Sequence, residues 1–225
     1  MLLLVLGKGK TGSLVTQVAR ERGHSVRVLD FRENEGASAL TAPTLSHVDV
    51  VIDFTTPKAA VENIRACLAL GARIVVGTTG WYDHLNDMKA LASRRNGALL
   101  YASNFSLGVQ ELFSLTASVA KLNGYQFHIE ETHHTTKLDS PSGTALTLKE
   151  IVQSVQPEAT VEITSKREGD ASGLHVVTAR SENDLIELRH DSFNRRGFAE
   201  GAVRAAEWLH EKTGVWEFRE IFEQV

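Results

Sequence analysis

Short apolar runs alternate with amphipathic stretches over the first hundred residues of the chain. The run MLLLVL at 1–6 is continuous and closes on a glycine, which predicts a buried strand. Residues 11–24 then place Leu14, Val15 and Val18 on one face of a predicted helix. Further strands are predicted at 25–30, 47–57, 72–80 and 98–106, with helices at 57–71 and 84–97. Strands that alternate with helices at this spacing predict a parallel sheet covered by helices.

The pattern changes near residue 104, because strands then begin to follow one another directly. A helix is predicted at 107–122, a strand at 125–134 and a second helix at 142–155. Three strand-like segments follow at 159–168, 173–181 and 184–192, and a last amphipathic helix at 198–214. Consecutive strands predict a mixed or antiparallel sheet, so the second domain is expected to be of the α+β class.

Composition narrows the class of protein. The 225 residues are 42% hydrophobic and 23% charged, as expected for folded domains with apolar cores. The formal net charge of −4 argues against a dedicated nucleic-acid binder. Cys67 is the only cysteine, which excludes an internal disulfide and a thiolate zinc site. The first apolar run is too short for a signal peptide or a membrane span, so a cytoplasmic protein without a membrane partner is expected.

A glycine-rich loop follows the first predicted strand. Residues 7–12, GKGKTG, match the G-x-G-x-x-G spacing that lets a helix N-terminus receive a pyrophosphate. Asp30 ends the second strand, where an acid would take ribose hydroxyl groups. Lys8, Lys10 and Arg32 could instead grip a 2′-phosphate, which Asp30 would repel. These residues leave the choice between NADH and NADPH open. The alternative to a dinucleotide site is a glycine-rich turn that binds no ligand.

Two further strands end in polar turns, at 54–57 (FTTP) and 77–80 (GTTG). The carboxyl ends of parallel strands meet at one edge of a sheet, so these turns should line the same crevice as the glycine loop. Three such turns in register suggest a single ligand, whose nicotinamide half would lie across 77–79 and 103–106.

The stretch from Glu130 to Leu146, EETHHTTKLDSPSGTAL, concentrates polar side chains. Neighbouring residues of an extended segment point to opposite faces, so His133 and His134 are not expected to share a metal ion. A histidine can exchange a proton near neutral pH, and Lys137 adds a fixed charge. The turn at 141–144, PSGT, opens a helix whose free N–H groups could bind an anion, although Ser142 or Thr144 could simply be a cap.

The spacing E-x-H-H-x-x-K-x-D-x-P-S-G-T-A over 131–145 resembles the signature of the dihydrodipicolinate reductase family. The stretches DFTTP, VVGTTGW, ASNFSLGV, SKREGDASGLH and FAEGAVRAAEWL are similar to the family's, in the same order. The resemblance implies reduction of 4-hydroxy-tetrahydrodipicolinate by NADH or NADPH, with loss of water, in diaminopimelate and lysine biosynthesis. Differences include a first glycine loop one residue shorter than the family's common pattern and a compressed region after Asp30.

The resemblance also implies roles for single residues. His133 would be the catalytic acid or base and Lys137 a second proton donor. The residues implied to hold the substrate's carboxylates are His134, Ser142, Gly143 and Thr144. Those implied to hold the cofactor are Gly7, Lys8, Gly9, Lys10, Thr11, Gly12, Asp30, Gly77, Thr78, Thr79, Ser103, Asn104, Phe105 and Ser106. Glu131 and Asp139 are expected to support the site or the fold, while His175 and His190 could face it.

The implied architecture is a Rossmann-type dinucleotide-binding domain at 1–104, to which a C-terminal helix at 199–225 returns. A substrate-binding domain at 105–198 would build a homotetramer. Two other functions compete with this one. One is a sensor module that binds NAD(H) without catalysis, and the other is a dehydrogenase of another small imino or amino acid. Neither accounts for the dense polar stretch, because a sensor needs no proton donor and HHTTKLDSPSGT is specific to one substrate cradle.

Overall fold

A computed structural model describes all 225 residues, Met1–Val225. The chain forms two compact units. Unit 1 comprises Met1–Ser106 and Arg196–Val225, and unit 2 comprises Leu107–Arg195. The sequence predicts the two domain boundaries after residues 104 and 198. No helix combines the length and the apolar character needed to cross a bilayer.

Unit 1 is built on a sheet of six parallel strands. They are β1 (Leu2–Leu6), β2 (Ser25–Leu29), β3 (Val50–Asp53), β4 (Arg73–Val76), β5 (Ala98–Tyr101) and β10 (Gly214–Glu217), in the spatial order β10-β5-β4-β3-β1-β2. β1 and β3 are buried on both faces, which explains their continuous apolar sequences. The predicted parallel sheet is confirmed, and its order reverses between β1 and β3, where dinucleotides bind in such sheets.

The helices of unit 1 cover this sheet. They are α1 (Lys10–Glu21), α2 (Ala42–Leu45), α3 (Pro57–Ala69), α4 (Leu85–Arg95), α7 (Arg196–Leu209) and α8 (Phe218–Ile221). α7 packs on α1, β3 and β4, while α3 packs on α4. Gly201 lies so close to the carbonyl oxygen of Phe105 that no side chain would fit there. α7 therefore packs tightly against the backbone at Phe105.

The C-terminal region differs from the prediction. The sequence pattern predicts a single helix at 198–214. The resemblance implies a C-terminal helix at 199–225 that packs back on the first domain. In the structure α7 ends at Leu209, and the next regular element is the strand β10, which pairs with β5. β10 has four residues, all partly exposed. A run that short shows no strand periodicity, which is why the sequence does not reveal it.

Unit 2 contains a four-stranded mixed sheet and two helices. Its elements are α5 (Leu107–Val119), β6 (Gln126–His133), α6 (Gly143–Val155), β7 (Val161–Arg167), β8 (Leu174–Arg180) and β9 (Leu185–Asp191), with strand order β7-β6-β8-β9. β6 runs parallel to β7 and antiparallel to β8, which confirms the predicted mixed sheet. Phe127 and Ile129 of β6 join Leu148 and Val152 of α6 in its core.

The core-facing side of β6 changes from apolar to polar toward the C-terminal end of the strand. Residues two apart share a face of a strand, so Glu131 and His133 continue the row begun by Phe127 and Ile129. In the neighbouring strands, Glu131 lies opposite His175 of β8 and His133 lies beside Arg167 of β7. The end of this sheet thus gathers acidic, basic and imidazole side chains on one face.

Candidate active site

Three buried polar side chains form the centre of the polar cluster in unit 2. Glu131, His133 and His175 are 0%, 8% and 3% exposed. The two Nε2 atoms of the histidines are 3.3 Å apart. Oε2 of Glu131 lies 3.4 Å from Nε2 of His133 and 3.7 Å from Nε2 of His175. Both imidazoles therefore direct the same nitrogen toward one carboxylate.

The Glu131 carboxylate is held from two sides. The backbone N–H of Ser142, which caps α6, donates to both of its oxygens at 3.0 and 3.2 Å. Nη2 of Arg167 donates to Oε1 at 3.2 Å and also to the carbonyl oxygen of Asp139. Burial by itself would raise the pKa of Glu131, but hydrogen bonds from His133 and Ser142 outweigh it and hold the pKa well below its usual range. The cluster therefore contains a fixed negative charge.

His175 sits deeper in the cluster than His133. Its Nε2 lies 3.3 Å from Oγ of Ser142 as well as from His133, while its Nδ1 is buried without a hydrogen-bond partner. Burial, followed by the nearby charge of His133, lowers the pKa of His175 to about 3. His175 is consequently a neutral imidazole at any working pH.

His133 presents its other edge to a glycine. A Cβ atom on Gly173 would lie 3.1 Å from Cε1 and 3.4 Å from Nδ1 of His133. The backbone of Gly173 has φ of +147°, a conformation that residues other than glycine rarely adopt. Nε2 of His133 therefore lies inside the cluster, whereas its Nδ1 lies on the side of Gly173.

The other residues of the motif form a rim that does not join the buried trio. Nζ of Lys137 pairs with Oδ1 of Asp139 at 2.8 Å. Burial favours a raised pKa for Asp139, but the hydrogen bond from Lys137 lowers it on balance. His134 lies past the end of β6, where its Nδ1 is 2.7 Å from Oγ1 of Thr136 and its Nε2 is 3.1 Å from Nη2 of Arg195. Two cations and a histidine thus line the rim.

The resemblance implies an anion site at the start of α6. Ser142 is buried, and its Oγ accepts from the N–H of Ala145. Its own N–H is taken by Glu131, so both of its polar groups are engaged inside unit 2. Gly143 is exposed, and a Cβ there would meet nothing within 4 Å. The geometry thus gives Ser142 a structural task and leaves the open backbone at Gly143, next to Thr144, for a ligand.

In unit 1 the first glycine loop has the shape of a phosphate cradle. A Cβ on Gly12 would overlap the carbonyl oxygen of Gly7, and one on Gly7 would overlap that of Phe54. Gly7 also has φ of +99°. Gly9, at the N-cap of α1, differs because a Cβ there would meet nothing within 4 Å. The space beside Gly9, open at a helix N-terminus, fits the close approach of a pyrophosphate. Lys10 and Thr11 begin α1.

Two carboxylates face Lys8 after the second strand. Nζ of Lys8 lies 3.0 Å from Oε2 of Glu33 and 3.5 Å from Oδ2 of Asp30. Oε2 of Glu33 also accepts from the N–H of Asp30 at 2.8 Å. The backbone hydrogen bond from Glu33, followed by the charge of Lys8, lowers the pKa of Asp30. The sequence does not single out Glu33, although it lies only three residues past the predicted ribose acid.

A buried aspartate ties the other strand-end turns together. Oδ1 of Asp53 accepts from Oγ1 of Thr55 at 2.7 Å and from Oγ1 of Thr78 at 2.9 Å. Its Oδ2 accepts from Asn63 at 2.7 Å, and Asn63 in turn accepts from Asn34 at 2.9 Å. Burial raises the pKa of Asp53 in spite of these bonds. Sequence reasoning misses this network, whose only signal is a charged residue that ends the apolar run VVID.

The nicotinamide-side segments meet around Phe54. A Cβ on Gly77 would overlap the Phe54 ring, whose centroid lies 6.3 Å from that of Phe105. Phe105 is 2% exposed and packs on Phe218 at 4.8 Å, so it is a core residue rather than an open contact. Thr79 and Ser103 are exposed, while Oδ1 of Asn104 accepts from the N–H of Ser106 at 2.8 Å.

Glu131, His133 and His175 also offer three metal-ligand atoms within 4.8 Å of one another. The sequence considers only His133 and His134 for a metal and misses this set. Its donors already have partners, however, because Ser142 and Arg167 occupy the carboxylate. A dication would also stand beside the Arg167 guanidinium, which it would repel. The set therefore suits a shared proton better than a metal ion.

Comparisons with known proteins agree with one another. The family model "Dihydrodipicolinate reductase, N-terminus" matches residues 1–105, and "Dihydrodipicolinate reductase, C-terminus" matches residues 108–222. A 4-hydroxy-tetrahydrodipicolinate reductase of Christiangramia forsetii is 37% identical over 98% of this chain and 97% of its own length. One of Natronomonas pharaonis is 38% identical over 96% and 97%. A dipicolinate-bound dihydrodipicolinate reductase from Paenisporosarcina sp. TG-14 superposes with a TM-score of 0.82 at 25% identity, covering 98% and 99% of the two chains.

Proposed function

This chain belongs to the dihydrodipicolinate reductase family, and we propose from that premise which of its residues carry out the reaction. The chain is an NADH- or NADPH-dependent oxidoreductase that reduces 4-hydroxy-tetrahydrodipicolinate to tetrahydrodipicolinate. The reaction belongs to diaminopimelate and lysine biosynthesis. The observation that supports our assignment best is the imidazole of His133, which has Nε2 against a buried carboxylate and Nδ1 beside Gly173.

The glycine loop of unit 1 would hold the cofactor. Its pyrophosphate would approach the backbone beside Gly9, where no protein atom interferes. Asp30 would accept from the ribose hydroxyl groups, and the segments 77–79 and 103–106 would contact the nicotinamide. When bound, NADH or NADPH supplies the hydride. The Asp53 network would keep the turns after β3 and β4 in place while this happens.

His133 would provide the proton. Once the 4-hydroxyl group has left as water, hydride addition to the conjugated ring leaves electron density on the nitrogen side, which a proton must neutralise. The imidazolium form of His133 would be stabilised by Glu131, whose carboxylate remains charged because its pKa is low. A buried carboxylate that orients a histidine in this way is a familiar means of fixing an acid–base group. Lys137 would assist from the rim.

The rim and the helix start would hold the substrate. A ring with two carboxylates needs two sites of positive potential, and unit 2 offers Lys137 together with the N-terminus of α6 at Gly143 and Thr144. His134, hydrogen-bonded to Arg195, would complete the rim. The Paenisporosarcina relative binds dipicolinate, a dicarboxylate, which supports a substrate of this class.

Turnover and binding should separate on mutation. We expect His133→Ala to lower kcat at least tenfold while the dissociation constant for NADH stays unchanged, because a general acid contributes about 10²–10⁴-fold. Thr144→Val should mainly raise the KM for the substrate. His128→Ala is the matched control, because it lies on the same strand but on the opposite face. Near-wild-type turnover by His133→Ala would remove His133 from the role of proton donor.

The same assay separates the competing functions. The reaction is followed as NAD(P)H oxidation, with the preceding synthase supplying the unstable substrate. A sensor module would bind the nucleotide and leave it unconsumed. A dehydrogenase of another imino or amino acid would be active only with that other substrate. Steady oxidation that depends on the synthase product is the result expected for a member of this family.

We also propose that the chain acts in the cytoplasm as a homotetramer. The support is the family resemblance, in which the second domain builds the tetramer. Size-exclusion chromatography with light scattering should therefore give four times the chain mass of 24.7 kDa. A mass equal to that of one chain or two chains would contradict the tetramer and leave the assigned reaction untouched.

A further inference from the structure

We propose that His175 is a positioning residue that acts with Glu131 to keep a proton on Nε2 of His133, so that Nδ1 of His133 exchanges the proton with the substrate. The proposal rests on the assignment of His133 as the proton donor. It extends that assignment by naming the nitrogen that acts and a second residue, besides Glu131, that helps to select it.

The sheet itself brings the two imidazoles together. His175 lies directly opposite Glu131 in the antiparallel pair of β6 and β8, and His133 is two residues further along the same face. The result is the 3.3 Å approach of the two Nε2 atoms, with the Glu131 carboxylate beside both. Such an approach holds only one proton between the two nitrogens, since two N–H groups facing each other would repel.

Nε2 of His133 must be the nitrogen that bears this proton. It faces Oε2 of Glu131 at 3.4 Å, and a charged carboxylate can only accept. Nε2 of His175 is then an acceptor as well. Oγ of Ser142, which accepts from the N–H of Ala145, also lies 3.3 Å from Nε2 of His175.

The charges around His175 keep it neutral. Glu131 and His133 of β6 face it, together with His190 opposite it on β9 and Lys137 of the rim. Arg167 of β7 holds the far oxygen of Glu131. Burial and the neighbouring His133 lower the pKa of His175 to about 3, so it cannot compete for the proton. A neutral acceptor beside a carboxylate therefore holds the inner proton of His133 throughout the cycle.

The opposite edge of His133 is left for chemistry. A Cβ atom on Gly173 would lie 3.1 Å from Cε1 and 3.4 Å from Nδ1, so a side chain at this position would crowd Nδ1. In the imidazolium form both nitrogens carry hydrogen. When Nδ1 gives its proton to the reduced ring, the neutral Nε2–H tautomer remains, already bonded to Glu131 and His175. Solvent then returns a proton to Nδ1.

NMR of protein labelled with ¹⁵N-histidine tests the tautomer directly. We expect neutral His133 of the wild-type protein to show the Nε2–H pattern in two-bond ¹H–¹⁵N spectra. A wild-type Nδ1–H pattern would overturn the proposal, and this measurement needs no variant to fold. In His175→Leu, Glu131 alone would hold the proton on Nε2 of His133, and we expect the Nδ1–H tautomer to appear as a minor population.

Kinetics provide the second readout. His175→Leu should lower kcat about tenfold with an unchanged dissociation constant for NADH, since a misdirected acid loses part of its contribution. His175→Gln, whose amide oxygen can accept from Nε2–H, should recover most of the loss. His190→Leu is the matched control, because it pairs with His175 in register without touching His133. Wild-type kcat and an unaltered tautomer in His175→Leu would refute the role of His175. Loss of the role of His133 itself would appear separately, as normal turnover by His133→Ala.

Discussion

Replacing Gly9 by alanine should separate cofactor binding from folding. Gly9 has φ of −71°, which alanine adopts freely, and its Cβ would touch no atom of the protein. The folded state is therefore not strained. Alanine also reduces the freedom of the unfolded chain, so the free energy of unfolding should stay level or rise by about 0.4–1 kcal/mol. The added methyl group would occupy the space that a pyrophosphate needs.

The cost to binding follows from the hydrogen bonds that the methyl group prevents. If the pyrophosphate is displaced from one charge-assisted bond to the backbone, the loss is about 1.5–3 kcal/mol. This corresponds to a rise of roughly 10- to 150-fold in the dissociation constant for NADH. Gly12→Ala is the comparison variant, because its Cβ would overlap the carbonyl oxygen of Gly7, which cannot move aside. Overpacking of this kind costs about 1–3 kcal/mol of stability.

Urea unfolding measures the stability of each variant, and fluorescence titration measures NADH binding. Gly9→Ala should bind poorly and unfold like the wild type, whereas Gly12→Ala should unfold more easily. Unchanged NADH affinity in a fully folded Gly9→Ala would show that the cradle beside Gly9 is not the pyrophosphate site.

Three further predictions concern charge. Glu131→Gln should lower the free energy of unfolding by about 3 kcal/mol, because Arg167 loses its buried anionic partner. A loss below about 1 kcal/mol, measured by urea unfolding, would contradict the pairing. Because the folded pKa of Glu131 is depressed, its stabilisation should be complete above the unfolded pKa of about 4.3 and decline as pH falls below it, a decline that Glu131→Gln should lack. Glu33→Gln should shift the ratio of NADPH to NADH affinity about fivefold toward NADPH, because the substitution frees Lys8 from one carboxylate. Equal ratios of the two dissociation constants in the wild type and the variant would refute this prediction.

Strong periodicity made most of the fold predictable. The strands β1, β3, β4 and β5 are mostly apolar runs bounded by turn residues, and β2 alternates polar and apolar residues. The helices α1, α3 and α4 carry clear amphipathic faces or end signals, so local sequence specifies these elements. β10 escapes prediction because its four residues gain their strand character from pairing with β5, more than a hundred residues earlier. Tertiary pairing decides such short elements, and sequence patterns carry little trace of it.

The site was predictable only where its residues are close in sequence. His133 and Lys137 lie in one dense polar segment, which indicates acid–base chemistry. The structural partner of His133 is His175, 42 residues away, and only the register of β6 with β8 brings them together. Ser142 has the sequence of a helix cap and is one, but its contact with His175 depends on the same register, and its bond to Glu131 depends on how α6 packs on β6. Motifs show the chemistry available, whereas strand pairing decides which groups meet.

Unit 1 consists of two stretches of chain separated by the whole of unit 2, and its edge strand β10 lies in the second stretch. At about 5–20 residues per second, a ribosome needs on the order of ten seconds to proceed from the end of β5 to β10. During that interval the emerging β5 presents unpaired N–H and C=O groups on an apolar strand, a template for pairing with another nascent chain. The timing of translation therefore defines the period in which this protein is most exposed to aggregation and has most to gain from a chaperone.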